Sequence, residues 1–353
     1  MAQVLWLLLL LPALLATGVL YQWIGALNDR RRFLKLGRMV DMGDGRRIYV
    51  SDMGQANKSG PTVIFESGIA ATSQNWLRMQ TEVAGFTRAV SYDRSGLGWS
   101  TPSQSARTPG NLASELREVL QQAGIPGPYI LVGHSFGGLV VRSYAARYPN
   151  EVLGVVLVDP MRPEEWPPVN ENQRAYVERG KRFAGYGVAV AQFGLARLSI
   201  TSLLCRSGRT SRLLTRIAGS GGSHVMERIT CEVDKMPREV RPIVAAHWSS
   251  PKYYRGLVAH LDAVPASVAE MYGAKPLQGV PVVLLTPSNA EPLSADSLSC
   301  ISPDARQIIA ERSGHWVHLD QPGLVLDAIR AMVEHARSSV GIEASAFVES
   351  VAQ

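Results

Sequence analysis

The chain has 353 residues, 46% of them hydrophobic and 19% charged, a composition that can bury a sizeable core and excludes disorder as the main state. Its three cysteines, Cys205, Cys231 and Cys300, are too few for a disulfide framework and are not spaced like a zinc site. The formal charge of +6 raises the question of nucleic acid, and the answer depends on where the charge sits.

No side chain from Met1 to Asn28 is charged, and Val4 to Ile24 is an almost continuous apolar run. Twenty-one helical residues rise about 31 Å, the thickness of a bilayer's hydrocarbon core. An uncleaved transmembrane anchor over 1–28 is the expectation. A cleaved signal peptide is the competing reading; against it stand the missing basic residues before the run, its length and the absence of a clear cleavage site. Tyr21 and Trp23 suit an interfacial aromatic belt. The juxtamembrane segment 29–40 follows, with Arg30, Arg31, Arg32, Lys35 and Arg38 offset only by Asp29, which leaves residues 41–353 an excess of two positive charges. A single-pass membrane protein of a bacterial inner or plasma membrane is expected, and the positive-inside rule favours a cytoplasmic body. Cys205 and Cys231 would pair only if the body faced an oxidising compartment. No basic-aromatic patch remains to support nucleic acid as a partner.

Further along, short β-branched runs alternate with helical patterns. Val63 to Phe65, Arg88 to Tyr92, Tyr129 to Val132, Val152 to Val158 and Val280 to Leu285 read as strands, and Gln307 to Ala310 as another. Asn111 to Ala123, Leu139 to Arg147 and Leu324 to Ala336 have helical spacing. This alternation predicts an α/β fold with a mostly parallel central sheet flanked by helices. It is interrupted over 161–275 by a strand-poor stretch with amphipathic segments such as Val177 to Leu198, an expected helical insertion over the sheet's functional edge. Its aromatic residues, including Trp166, Tyr176, Phe183, Tyr186, Phe193, Trp248, Tyr253 and Tyr254, are expected in packing or along an acyl pocket.

Gly133-His134-Ser135-Phe136-Gly137 matches G-x-S-x-G between a strand and a helix. A serine on so sharp a turn needs small residues two positions to either side so that the chain can cross itself. With this motif the chain resembles the α/β-hydrolase family, in particular its lid-bearing serine esterase and lipase-like branch, as a bacterial-type, membrane-anchored member. Three more blocks carry the resemblance: Phe65-Glu66-Ser67-Gly68-Ile69, Tyr92 to Ser100 (YDRSGLGWS), and Ser313-Gly314-His315-Trp316-Val317-His318. The resemblance covers roughly residues 38 to 337. It implies a core of 41–160 and 276–338, a helical cap of 161–275 inserted after strand 6, and a C-terminal tail of 339–353.

A serine hydroxyl needs an adjacent base oriented by a carboxylate. The resemblance implies Ser135 as nucleophile and His315 as general base, with His318 packing or hydrogen bonding near the loop and His134 pointing elsewhere. The acid is open between Asp159, which ends the sixth strand, and Glu291 or Asp296 after the seventh, with Asp159 favoured. The amides of Phe136 and Ile69 are expected to form the oxyanion hole; Ser67 stands where histidine is common in the family. Asp93 and Arg94 read as structural, tied by charge. His224, His247 and His260 fall in the cap, where solvated or substrate-lining roles are expected. The implied activity is hydrolysis of a small, lipophilic carboxylic ester, with a lipid among the candidate substrates, and with no cofactor or metal. A proline-type peptidase, a C–C hydrolase, a perhydrolase and a non-catalytic binding protein of the same fold are the alternatives. Gly96 and Gly98 lack the third glycine of a dinucleotide fingerprint.

Overall fold

The computed structural model describes residues 2–54, 60–69, 71–205 and 233–351. Eight strands form one sheet: β1 (Arg38–Asp41), β2 (Arg47–Met53), β3 (Thr62–Glu66), β4 (Ala89–Tyr92), β5 (Tyr129–His134), β6 (Val152–Val158), β7 (Val282–Pro287) and β8 (Ala305–Ala310). Their order is β1-β2-β4-β3-β5-β6-β7-β8. The β1–β2 and β2–β4 pairs are antiparallel and every other pair is parallel. The antiparallel edge was not anticipated from the sequence, nor was the helix Leu77–Ala84.

Period-two alternation sends neighbouring residues of each central strand to opposite faces. Val63, Phe65, Ile130, Val132, Val156 and Val158 pack on one side with Trp76, Met79, Ile329 and Val333. Ile64, Leu131, Val155 and Leu157 pack on the other with Leu116, Val119 and Tyr144. Strands covered on both faces read as unbroken apolar runs, which is why β6 coincides with its predicted bounds. Each fully buried Val or Leu contributes about 1.5–3 kcal/mol, so this double core dominates the fold and fixes the strand ends from which the site is built.

Between β6 and β7 the described part of the cap is helical: Arg174–Gln192, Leu195–Cys205, Arg241–Trp248, Pro251–Asp262 and Val264–Met271. The segment expected as one amphipathic stretch to Leu198 is two helices, bent by 96° at Phe193-Gly194, where Gly194 takes φ +76°. Pro251 opens its helix in the first turn, and the Ser250 side chain accepts from the Lys252 amide, a good start for a helix. Lys252 Nζ then donates to the Ser100 carbonyl at 2.7 Å, tying cap to core; burial lowers this lysine to about 8. His247 and His260 are buried, which corrects the solvated alternative in the expectation of solvated or substrate-lining cap histidines. His224, Cys231 and the side chain of Cys205 lie outside the described residues, and so does their pairing.

The helix Ala2–Phe33 runs past the expected anchor boundary, and over Leu10–Leu36 it is long and apolar enough to cross a membrane. It packs on the cap. Arg197, itself buried, donates from Nε to Gln22 Oε1 at 2.9 Å and from Nη1 to Asp29 Oδ2 at 2.6 Å. Phe33 is buried with Tyr49, Trp99, Ile243 and Ala246. At the other end, residues set apart as a tail continue the last helix, Pro322–Val351.

Candidate active site

Ser135 sits between β5 and the helix Phe136–Arg147 with φ 53° and ψ −123°, a conformation an L-residue holds only when its surroundings impose it. They do so by close packing: a Cβ at Gly133 would come 2.6 Å from the Gly137 carbonyl, and one at Gly137 would come 2.5 Å from that of Glu66. The Ser135 carbonyl accepts from both Gly138 and Met161 amides, at 2.9 and 3.0 Å.

Asp159 follows β6, also at positive φ (40°), and its amide donates to the Leu285 carbonyl of β7 at 2.8 Å. Its Oδ2 lies 2.6 Å from His315 Nδ1. Of the three carboxylates considered, Asp159 is the one in contact with this histidine. The Glu291 carbonyl instead accepts from Arg162, and Asp296 stands in the first turn of the helix Ala295–Ser299. With Nδ1 engaged, His315 Nε2 is the nitrogen left for a reacting hydroxyl; among the described residues no hydrogen bond yet joins it to Ser135. The loop carrying His315 is braced by Asp320, whose Oδ2 accepts from the Gly314 amide at 2.9 Å.

His134 does not simply point away. Its Nε2 is 2.9 Å from the His315 carbonyl, and its ring lies 4.6 Å from that of His315. A carbonyl can only accept, so Nε2 carries the proton. Burial holds this imidazole well below its usual pKa, so it stays neutral and keeps that donor. His318 is buried and stacked on Trp76 at 4.4 Å, a packing role.

Gly68 passes over Ser135, where an added Cβ would lie 3.5 Å from Ser135 Cβ. Among the described residues, the amides of Ile69 and Phe136 have no hydrogen-bond acceptor, as an oxyanion site requires. The loop is held from beneath by a charge network that the sequence reading did not assemble. Arg94 pairs with Glu66 at 2.5 Å and donates to the Ser67 and Gly68 carbonyls, and the Tyr92 hydroxyl donates to the second Glu66 oxygen at 2.5 Å. Burial pushes the Glu66 carboxyl above its usual range, and the Arg94 guanidinium opposes that push. Asp93 is not tied to Arg94: it accepts from the Ser73 and Trp99 amides at 2.9 and 2.8 Å.

A family model described as alpha/beta hydrolase fold matches residues 61–196, a stretch containing Ser135 and Asp159. The wild-type Cfl2 structure from Burkholderia cenocepacia superposes with a TM-score of 0.58 at 20% identity, covering 84% of this chain and 95% of that one. The chain has the alpha/beta-hydrolase fold. Sequence relatives match over shorter stretches. The uncharacterized protein YqjL of Bacillus subtilis (strain 168) is 32% identical over 102 residues, 29% of this chain and 40% of its own length. The bifunctional esterase/perhydrolase DCH of Acinetobacter calcoaceticus is 33% identical over 126 residues, 35% of this chain and 45% of its own. The chain thus matches less than half the length of either relative. Within this fold, no group of three or more His, Cys, Asp or Glu among the described residues could hold a metal ion.

Proposed function

We propose that this chain is a serine hydrolase that cleaves carboxylic esters through an acyl-serine intermediate. The observation that carries the reading is the 2.6 Å contact between His315 Nδ1 and Asp159 Oδ2 beside a serine held at φ 53°. His315 Nε2 takes the proton of Ser135 Oγ as that oxygen attacks the ester carbonyl. The Ile69 and Phe136 amides donate to the resulting oxyanion, which in related sites is worth about 3–4 kcal/mol per donor. Collapse of the tetrahedral intermediate expels the alcohol, which takes the proton back from His315. A water then repeats the sequence, releasing the carboxylic acid and restoring Ser135. Asp159 keeps the imidazole in the required tautomer and stabilises its charged form. A serine at this turn argues against an aspartyl-ester mechanism.

The apolar helix Ala2–Phe33 supports a second part of the reading, that the hydrolase is anchored by a single transmembrane helix and acts on lipophilic esters. Cleavage of this helix after its apolar run, as in a signal peptide, would strip buried Arg197 of Gln22. The decisive experiment is labelling of the full chain in membranes with a fluorophosphonate probe. Label on Ser135 that disappears in Ser135→Ala is expected; no labelling of the parent chain would rule the enzyme reading out in favour of a binding protein of the same fold.

A further inference from the structure

Two of the cap helices carry an apolar surface that none of the described residues covers. Tyr176, Phe183 and Tyr186 are 52%, 59% and 74% exposed, and Val190, Leu195 and Leu198 are 43%, 56% and 57% exposed. At 100° per residue, Phe183, Tyr186 and Val190 fall within about 60° of one another on Arg174–Gln192. From Phe183 to Ala196 there is no charged side chain, whereas Arg174, Glu178, Arg179, Lys181 and Arg182 all precede it. The first charge after this stretch, Arg197, is withdrawn into its pairing with Asp29.

The N-terminal helix gives this surface a depth. Gly18 lies against the Phe193 carbonyl, and a Cβ at Gly194 would come 2.8 Å from the Gly18 carbonyl, so the bend between the cap helices touches the helix backbone at Gly18. Gly18 is six residues inside the Ile24 end of the apolar run, about 9 Å of helical rise. When Val4 to Ile24 fills the hydrocarbon, the bend therefore lies about 9 Å below its edge, the depth of in-plane amphipathic helices, about 5–10 Å. Its backbone suits that solvent: the Phe193, Gly194 and Leu198 amides donate to Ala189, Ala191 and Gly194 at 3.2, 3.1 and 3.0 Å, and unpaired amides are not tolerated there.

We infer that this bend is a membrane-seated wedge, in which Phe183, Tyr186, Val190, Leu195 and Leu198 occupy the headgroup–acyl boundary of the leaflet nearest the catalytic body and Arg179 and Arg182 face the headgroups. The inference rests on the reading of Ala2–Phe33 as a transmembrane helix. The occupant is phospholipid, because the bend is pinned to a segment whose own solvent is phospholipid. The cap is thereby held at the bilayer surface by two elements instead of one.

The test is depth-dependent quenching in the full chain, with the native cysteines replaced by serine and circular dichroism used to select folded preparations. A single NBD-labelled cysteine is introduced at Leu14, Tyr186, Leu198 or Ile309, the last on the far edge strand, and the protein is reconstituted in phosphatidylglycerol–phosphatidylcholine vesicles containing doxyl lipid. Quenching at Leu14, Tyr186 and Leu198, by about two-fold or more relative to Ile309, is expected. Quenching at Leu14 alone overturns the wedge and leaves the anchor standing; quenching at none of the four overturns both. Protection of Tyr186 and Leu198 from aqueous iodide without lipid quenching would overturn it in favour of a second copy of the chain. Quenching needs no turnover, so its failure is distinct from failure of the ester reading.

Discussion

The two sides of Ser135 are held in opposite ways. Under the Ser67-Gly68 loop, Arg94 and Glu66 pair with 2% and 1% of their side chains exposed; across the serine, His315 and Asp159 pair with 43% and 16% exposed. The contact distances are nearly equal, 2.5 and 2.6 Å, yet the physics differs. A buried pair cannot exchange its partner for water, so losing one member strands a charge in the core. A pair open to solvent contributes little to folding and remains reachable by substrate. One side of the candidate site is thus built into the fold, and the other is left open to solvent.

Substitutions can break this contrast. Asp159→Asn is expected to lower kcat by about 10⁴-fold, the size of loss that follows when a triad carboxylate becomes an amide, while stability to urea changes by no more than about 1 kcal/mol. A comparable loss of folding would erase the distinction. Arg94→Met should do the reverse, costing about 3–5 kcal/mol in urea unfolding because Glu66 is left alone, with much of it returned by adding Glu66→Gln; an unchanged midpoint would mean that the buried pair does not hold the loop.

A smaller effect concerns His318, which burial lowers to about 3. Above pH 6.5 both folded and unfolded states hold it neutral. Between 6.5 and 3 the unfolded chain takes up a proton that the folded chain refuses, so stability present above 6.5 is lost as pH falls. Among the described residues neither ring nitrogen has a hydrogen-bond partner, so His318→Phe is expected to keep the stack on Trp76 and to gain about 1 kcal/mol at neutral pH. It should also lose stability less steeply than the parent between pH 6.5 and 4. Parallel pH–stability curves for the two proteins would refute this. Smallest of all, Glu291→Gln should leave kcat/KM within about two-fold, under about 0.5 kcal/mol; a large loss would move the acid to the seventh strand.

What could be read in advance follows from how each feature is encoded. Central strands and the Ser135 turn are local patterns, and Val152–Val158 emerged with its observed bounds. The strands β1 and β2 escaped because their runs are short and their ends charged, Arg38 and Asp41 in one, Arg47 and Asp52 in the other. Pairings between blocks were invisible: nothing in the sequence says that Arg94 meets Glu66, or that His134 reaches the His315 carbonyl. The choice among three carboxylates could be narrowed by strand order, but the contact with His315 needed coordinates. In the cap, periodicity marked an amphipathic segment from Val177 to Leu198 without saying whether protein covers its apolar face, and the exposed Tyr176, Phe183 and Tyr186 differ from the expected packing or pocket lining.

The hydrogen bond from the Met161 amide to the Ser135 carbonyl also defines a seam for engineering. Residues 159–161 belong to the scaffold of the Ser135 turn, although the cap begins at 161. A cap transplanted at the end of β6 would sever that bond and leave the Ser135 turn without it. Joined after Met161, it would inherit an intact ledge, and only the architecture above it would change.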